Sequence, residues 1–190
     1  MKVKANFFKS LFLIYIISLY QTKKQFVPTI NFMWKKISHI IAFGFGSGLT
    51  TFLPGTIGTI AGWAVFKFSN MYAMNPISFA IFFGLILIIS SWACSQTQKS
   101  MNQLDSGHIV IDEWLGIWLC LWFLQQGLDK GFLYQLGVFL VFRFFDMVKP
   151  FPIRKIELKM KTQGIYGGFG IMLDDILASV YTIFLISIFS

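Results

Sequence analysis

The sequence predicts an all-α fold, a polytopic membrane helical bundle with about four spans and short interfacial helices. Three observations carry this expectation. Of 190 residues, 56% are hydrophobic, 18% aromatic and 13% charged, with a mean hydropathy of +0.68, whereas roughly a quarter of a soluble domain is charged. The run Ile77–Cys94 is eighteen residues long and holds no charge, close to the length that crosses a bilayer. The apolar runs also follow one another without the strict alternation that strands of a barrel require. The same composition excludes a disordered tail, a disulfide-dense secreted domain and a coiled coil.

Residues 1–36 read as an N-terminal extension, basic and partly apolar, ahead of a membrane domain at 37–190. Within it Phe7–Tyr20 is apolar, but it is fourteen residues long and broken by Lys9 and Ser10, which suits an interfacial helix better than a crossing. Lys23-Lys24-Gln25 follows where a signal peptide would carry small residues for cleavage. Next, Ile57–Met74 can cross once despite Lys67 and its glycines. Ile77–Cys94 is the clearest span, introduced by Asn75-Pro76, a helix-start signal. Ile109–Leu124 carries Asp112-Glu113 at its head, Phe132–Phe145 carries Arg143 near its tail, and Ile176–Phe189 follows Asp174-Asp175 directly. These three runs are short, so tilt or extension into the interface is expected.

The net charge of +8 and pI near 9.6 do not indicate a nucleic-acid partner, because the lysines flank apolar runs and are not interleaved with aromatics along one face. Lys149, Arg154, Lys155, Lys159 and Lys161 fill one late loop, the positive-inside pattern of a cytoplasmic loop. Counting crossings from that loop collects the acids. If Ile77–Cys94 ends on one side, the next helix leaves that side after Glu113, the following one returns to it at Asp146, and the last leaves it after Asp175. Asp112, Glu113, Asp146, Asp174 and Asp175, five of the eight acidic residues, then share one membrane face.

Five carboxylates at one face repel one another unless something positive lies between them. Carboxylate oxygens with no accompanying Cys or His cluster suit Mg²⁺ or Mn²⁺, hard ions that share their coordination with phosphate. Each adjacent pair alone is equally well a set of helix N-terminal charges. Arg143 and Asp146 are three apart and share a helical face; Arg143 in an apolar helix is costly unless paired or bound to an anion. Lys149 fits either a phosphate contact or a topology signal. Residues 44–59, GFGSGLTTFLPGTIGT, hold five glycines, four threonines and one serine. They are a candidate phosphate cradle, with Gly44, Gly46, Ser47, Gly48 and Thr56 as donors, and equally a small-residue surface for helix packing. Gly168, within GGFGIMLDD at 167–175, is placed in a tight turn feeding a helix N-terminus.

Cys94 and Cys120 read as buried thiols, and His39 and His108 are the two histidines. A lipid phosphatase with a histidine nucleophile is excluded because no histidine follows His108. A phosphotransferase using CDP-activated headgroups is disfavoured by the absence of its long Asp-Gly and Ala-Arg signature. The alternative from another class is a small ion-coupled membrane transporter using the clustered carboxylates. Such acids normally lie near the midplane within a repeated architecture, and no internal repeat occurs here.

Three separated blocks, GFGSG with PGTIGT at 44–59, IVIDEWLG at 109–116, and FRFFDMVKPFPI at 142–153 with GGFGIMLDD at 167–175, resemble the phosphatidylglycerophosphatase A family of membrane lipid phosphatases. Their order and spacing also fit, over roughly residues 37–190. The chain departs from the family pattern in its first thirty or so residues and at Thr50-Thr51, where a Ser-Pro or similar pair is more usual. The resemblance implies Mg²⁺-dependent hydrolysis of the phosphate monoester of phosphatidylglycerophosphate at the cytoplasmic face of a bacterial inner membrane, with the bilayer as environment and no protein partner. It agrees with Asp112, Glu113, Asp146, Asp174 and Asp175 as metal ligands and one general base, and with Arg143 and Lys149 facing the phosphoryl oxygens. A water nucleophile and an aspartyl-phosphate intermediate both fit.

Overall fold

The computed structural model describes residues 32–103, 106–125, 131–160 and 165–189. The chain divides into two compact units, Met1–Lys36 and Ile37–Ser190. Of the first, residues 32–36 are described, and they are helical. Of the extension expected over residues 1–36, residues 1–31 lie outside the described residues.

The second unit is all-helical among the described residues. It opens with α1 (residues 37–42) and a 3₁₀ segment, Gly44–Leu49, followed by α2 (Pro54–Phe68), a short 3₁₀ turn at Met71–Ala73, α3 (Pro76–Met101), α4 (Ile111–Phe123), α5 (Phe132–Val148), α6 (Ile153–Met160) and α7 (Ile165–Phe189). Asn75 caps α3 by accepting from Ser78 N at 2.9 Å, with Pro76 next, as that dipeptide predicts.

Two helices, Pro76–Met101 and Gly167–Phe189, are long and apolar enough to cross a membrane, where the sequence suggested about four. The difference is length: α2, α4 and α5 have 15, 13 and 17 residues, or about 20–26 Å at 1.5 Å per residue, against a hydrocarbon core of about 30 Å. The apolar run of α4 is matched by burial among its neighbours. Ile111, Leu115, Ile117, Cys120 and Leu121 are buried there with Trp114, Trp118 and Trp122, and α2, α3, α5 and α7 pack around it. By contrast, Ile77, Ile81, Leu85 and Ile88 on α3, and Val180, Phe184 and Ile188 on α7, are exposed at three- and four-residue spacing. Each long helix therefore presents a continuous apolar stripe outward.

The last helix also corrects the sequence expectation. α7 begins at Ile165, so the Gly-rich run is helical rather than a turn, and Asp174-Asp175 sit inside the helix rather than at its head. Packing is the reason: a Cβ at Gly168 would collide with the Ser91 carbonyl and the Ser95 hydroxyl of α3, and one at Gly170 with Met160 of α6. Small residues here let three helices approach closely.

The same device joins α2 to α4. Gly55, Gly58, Thr59 and Gly62 form one face of α2. A Cβ on Gly62 would lie 2.9 Å from the Trp114 backbone and 3.2 Å from Ile117, and the Gly62 carbonyl accepts from Trp118 Nε1 at 2.7 Å. Gly62→Leu is therefore expected to cost about 1–3 kcal/mol of stability by overpacking, read as a lowered thermal midpoint of the purified protein in detergent, whereas Gly84→Leu on open space should leave the midpoint unchanged.

Candidate active site

One cavity of about 330 Å³ lies where α2, α4, α5, α6 and α7 converge. Asp112 and Glu113 reach it from the first turn of α4, where the helix dipole favours carboxylates. That turn is pinned from outside the cavity: Val110 N donates to the Ala42 carbonyl at 3.0 Å, and His108 Nδ1 meets the Gly48 carbonyl at 2.8 Å. α5 contributes Arg143 and Asp146 at its C-terminal end and Lys149 as its cap, with φ of 47° in the left-handed region. α7 contributes Asp174 and Asp175, and α6 contributes Glu157. Ser179 Oγ, one turn after Asp175, contacts both the Asp175 carbonyl at 2.7 Å and the Gly116 carbonyl at 2.9 Å, which ties α7 to α4 at the level of the acids.

All six acidic residues among the described ones line this cavity. Asp105 and Asp129 fall outside the described residues. The acids divide into two kinds. Asp112, Glu113 and Asp175 each offer an oxygen within 4.8 Å of the others. Asp112 Oδ1, Glu113 Oε2 and Asp175 Oδ2 are buried without a hydrogen-bond partner, a costly arrangement for carboxylates unless a cation completes it. Three hard oxygen donors with no sulfur or imidazole match the preference of Mg²⁺.

The other three acids hold cations. Arg143 Nη1 donates to Asp146 Oδ2, lies 3.7 Å from Glu113 Oε1, and reaches Thr59 Oγ1 of α2 at 3.4 Å. Its Nε is buried without a partner, leaving a donor for an anion. Lys149 Nζ pairs with Asp174 Oδ2 and lies 3.3 Å from Glu157 Oε1. Burial opposes its charge, but Asp174, reinforced by Glu157 and Asp175, outweighs that and holds the ammonium well above the ordinary lysine range. Lys149 therefore stays protonated at neutral pH.

The glycine-rich stretch splits in two. Thr56 lines the cavity with Leu53, Pro54 and Gly55. Leu53 offers no side-chain cap, so the first amides of α2 stand free at the cavity edge. A Cβ on Gly55 would strike Glu113 and Arg143. Gly44, Gly46, Ser47 and Gly48 do not line the cavity. Ser47 Oγ donates to the Gly44 carbonyl at 2.8 Å, and a Cβ on Gly44 would sit 2.9 Å from Val110 and Trp114; this turn braces the segment that leads into α4. Gly168 packs on α3, and Gly167 and Gly170 line the cavity in its place.

Glu157, Thr59 and Gln98 were not singled out from sequence, although Glu157 and Gln98 line the cavity and Thr59 contacts Arg143. Glu157 did leave a signal, as the single acid of the otherwise basic IRKIELKM.

A family model described as phosphatidylglycerophosphatase A matches residues 40–190. Proteins named phosphatidylglycerophosphatase A from Haemophilus influenzae and Escherichia coli are each 36% identical to the chain. The first aligns over 157 residues, 80% of this chain and 91% of the relative; the second over 142 residues, 75% and 77%. A Bacteroides thetaiotaomicron protein carrying the name "Putative phosphatidylinositol-3-phosphatase" is 32% identical over 152 residues, 78% of this chain and 91% of the relative. No solved structure matches. With a cavity that offers both cation-binding oxygens and fixed positive charges, these matches define the chain as a hydrolase acting on a phosphomonoester. It belongs to the phosphatidylglycerophosphatase A family, as the resemblance of its three blocks implied.

Proposed function

We propose that the chain hydrolyses the terminal phosphate monoester of phosphatidylglycerophosphate to yield phosphatidylglycerol and phosphate, with Mg²⁺ held by Asp112, Glu113 and Asp175. The observation that carries this reading is the convergence of three carboxylates, each with one unpartnered oxygen, in one cavity with Arg143 and Lys149. When bound, the ion would polarise the phosphoryl group and acidify a nucleophilic water.

The chain's own groups do the rest. Arg143, through its free Nε, and Lys149 neutralise charge on the phosphoryl oxygens. Asp146 and Thr59 orient the guanidinium, while Asp174 and Glu157 orient the ammonium. The uncapped amides at Gly55 and Thr56 add donors with the dipole of α2 behind them. Hydrolysis forms a bond from phosphorus to the water oxygen, breaks the bond to the glycerol oxygen, and passes one proton from water to that oxygen.

The cavity sits at the Gln98 end of α3 and the Gly167–Asp175 end of α7, beyond the exposed apolar stripes of both helices. That placement supports a bilayer-embedded protein whose site lies at headgroup depth. The exposed basic residues Arg154, Lys155 and Lys159 at the same end support the cytoplasmic side of a bacterial inner membrane.

Purified protein in detergent micelles is expected to release phosphate from phosphatidylglycerophosphate with Mg²⁺, to stop with excess chelator, and to resume when Mg²⁺ is restored. Release unaffected by chelator would refute the metal, and no release by folded protein under any divalent ion would refute the substrate.

A further inference from the structure

Beside the catalytic cavity runs an open groove lined by Val148, Lys149, Phe151, Arg154, Lys155 and Leu158. Lys149 lines both, so the two spaces adjoin at this residue. Arg154 and Lys155 are exposed, and among the described residues neither forms an ion pair. Val148, Phe151 and Leu158 are 53%, 77% and 65% exposed. Apolar side chains this exposed, interleaved with free cations on a short helix whose Ile153 is buried, have the make-up of a surface that meets lipid headgroups and the first carbons of their chains.

The substrate chemistry has the same pattern. A phosphatidylglycerol phosphate carries a monoester at one end of its headgroup glycerol and a phosphodiester at the other, with acyl chains beyond. With the monoester at Lys149, which lines both spaces, a headgroup directed toward the groove carries its diester one glycerol unit further on.

We propose that the groove between α5 and α6 is a second anion subsite, in which Arg154 and Lys155 take the phosphodiester of a glycerophospholipid headgroup and Phe151 and Leu158 floor its glycerol and acyl roots. This rests on the phosphatase reading for its role in turnover, but its ligand is a diester that the reaction leaves intact. The groove therefore selects lipids with a diester over those with a monoester alone, and it also holds the product.

The full chain in neutral detergent micelles, titrated with dihexanoyl phosphatidylglycerol, tests the binding directly. Arg154→Ala/Lys155→Ala is expected to weaken this binding about tenfold, as loss of charge-assisted contacts should, and Lys159→Ala, on the same helix but off the groove, to leave it unchanged. In turnover the double variant should raise KM for phosphatidylglycerophosphate with kcat kept. Unchanged binding by the double variant would overturn the subsite. So would equal weakening by Lys159→Ala, which would indicate general attraction between charges, or displacement of the lipid by inorganic phosphate at equal concentration, which would indicate a free-phosphate site. Wild-type protein that binds the diester lipid but releases no phosphate would sink the phosphatase reading alone.

Discussion

Asp175→Asn is expected to lower phosphate release on the order of a thousandfold, because it removes one of the three carboxylates that would hold the proposed Mg²⁺, whose chemistry would be to polarise the phosphoryl group. The substitution keeps the shape of the side chain, and the backbone contact from Ser179 to the Asp175 carbonyl does not depend on the carboxylate. The thermal midpoint should therefore stay near that of the wild type while kcat collapses, and raising Mg²⁺ should restore part of the rate. A variant that keeps activity within tenfold of wild type would remove Asp175 from the metal site. Asp175 is the informative choice among the three. It lies inside α7, so a helix N-terminal charge, the simple account of Asp112 and Glu113, does not apply to it.

Arg143→Ala should lose both activity and stability. Its guanidinium joins three elements through Thr59 of α2, Glu113 of α4 and Asp146 of α5. Truncation leaves two largely buried carboxylates without their cation, which costs about 3 kcal/mol when a buried pair is broken from one side. Arg143→Lys separates the two effects. A lysine keeps the charge but cannot serve Thr59, Asp146 and a phosphoryl oxygen at once, so most stability should return while release stays about a hundredfold down. Chemical denaturation and single-turnover release on the same preparations read the two quantities. Equal recovery of both in Arg143→Lys would reduce the residue to a bundle clamp.

The sequence was most informative where a residue is expensive in its surroundings. A carboxylate or guanidinium in an apolar chain must find a partner, so counting crossings was enough to bring Asp112, Glu113, Asp146, Asp174 and Asp175 together across more than sixty residues. Glycines were harder to read, because the same residue serves a turn, an anion contact or a close helix crossing. Gly44, Gly46 and Gly48 fitted the last two equally; Gly44 and Gly48 pack against Val110 at the entry to α4, while Gly55, further along the same stretch, stands at the cavity against Glu113 and Arg143. Apolar runs are hard to read for a related reason. A run buried among other helices and one facing lipid have the same composition, so α4, walled in by its neighbours, reads in sequence like the outward-facing α3.

From sequence alone come the all-helical apolar fold, the convergence of the acids, the Arg143–Asp146 pair and the family. The first three depend on periodicity, on the cost of charge in an apolar chain, and on local spacing, all of which are written along the chain; the family comes from the resemblance of the motif blocks. Only the tertiary structure divides the acids into three whose oxygens face one another, with Glu113 also 3.7 Å from Arg143, and three that restrain cations, and places Glu157 on Lys149 and Thr59 on Arg143. Which oxygen meets which cation depends on how α2, α6 and α7 approach α4 and α5, and that approach is set by side-chain volumes at the crossings, notably Gly55, Gly62 and Gly116.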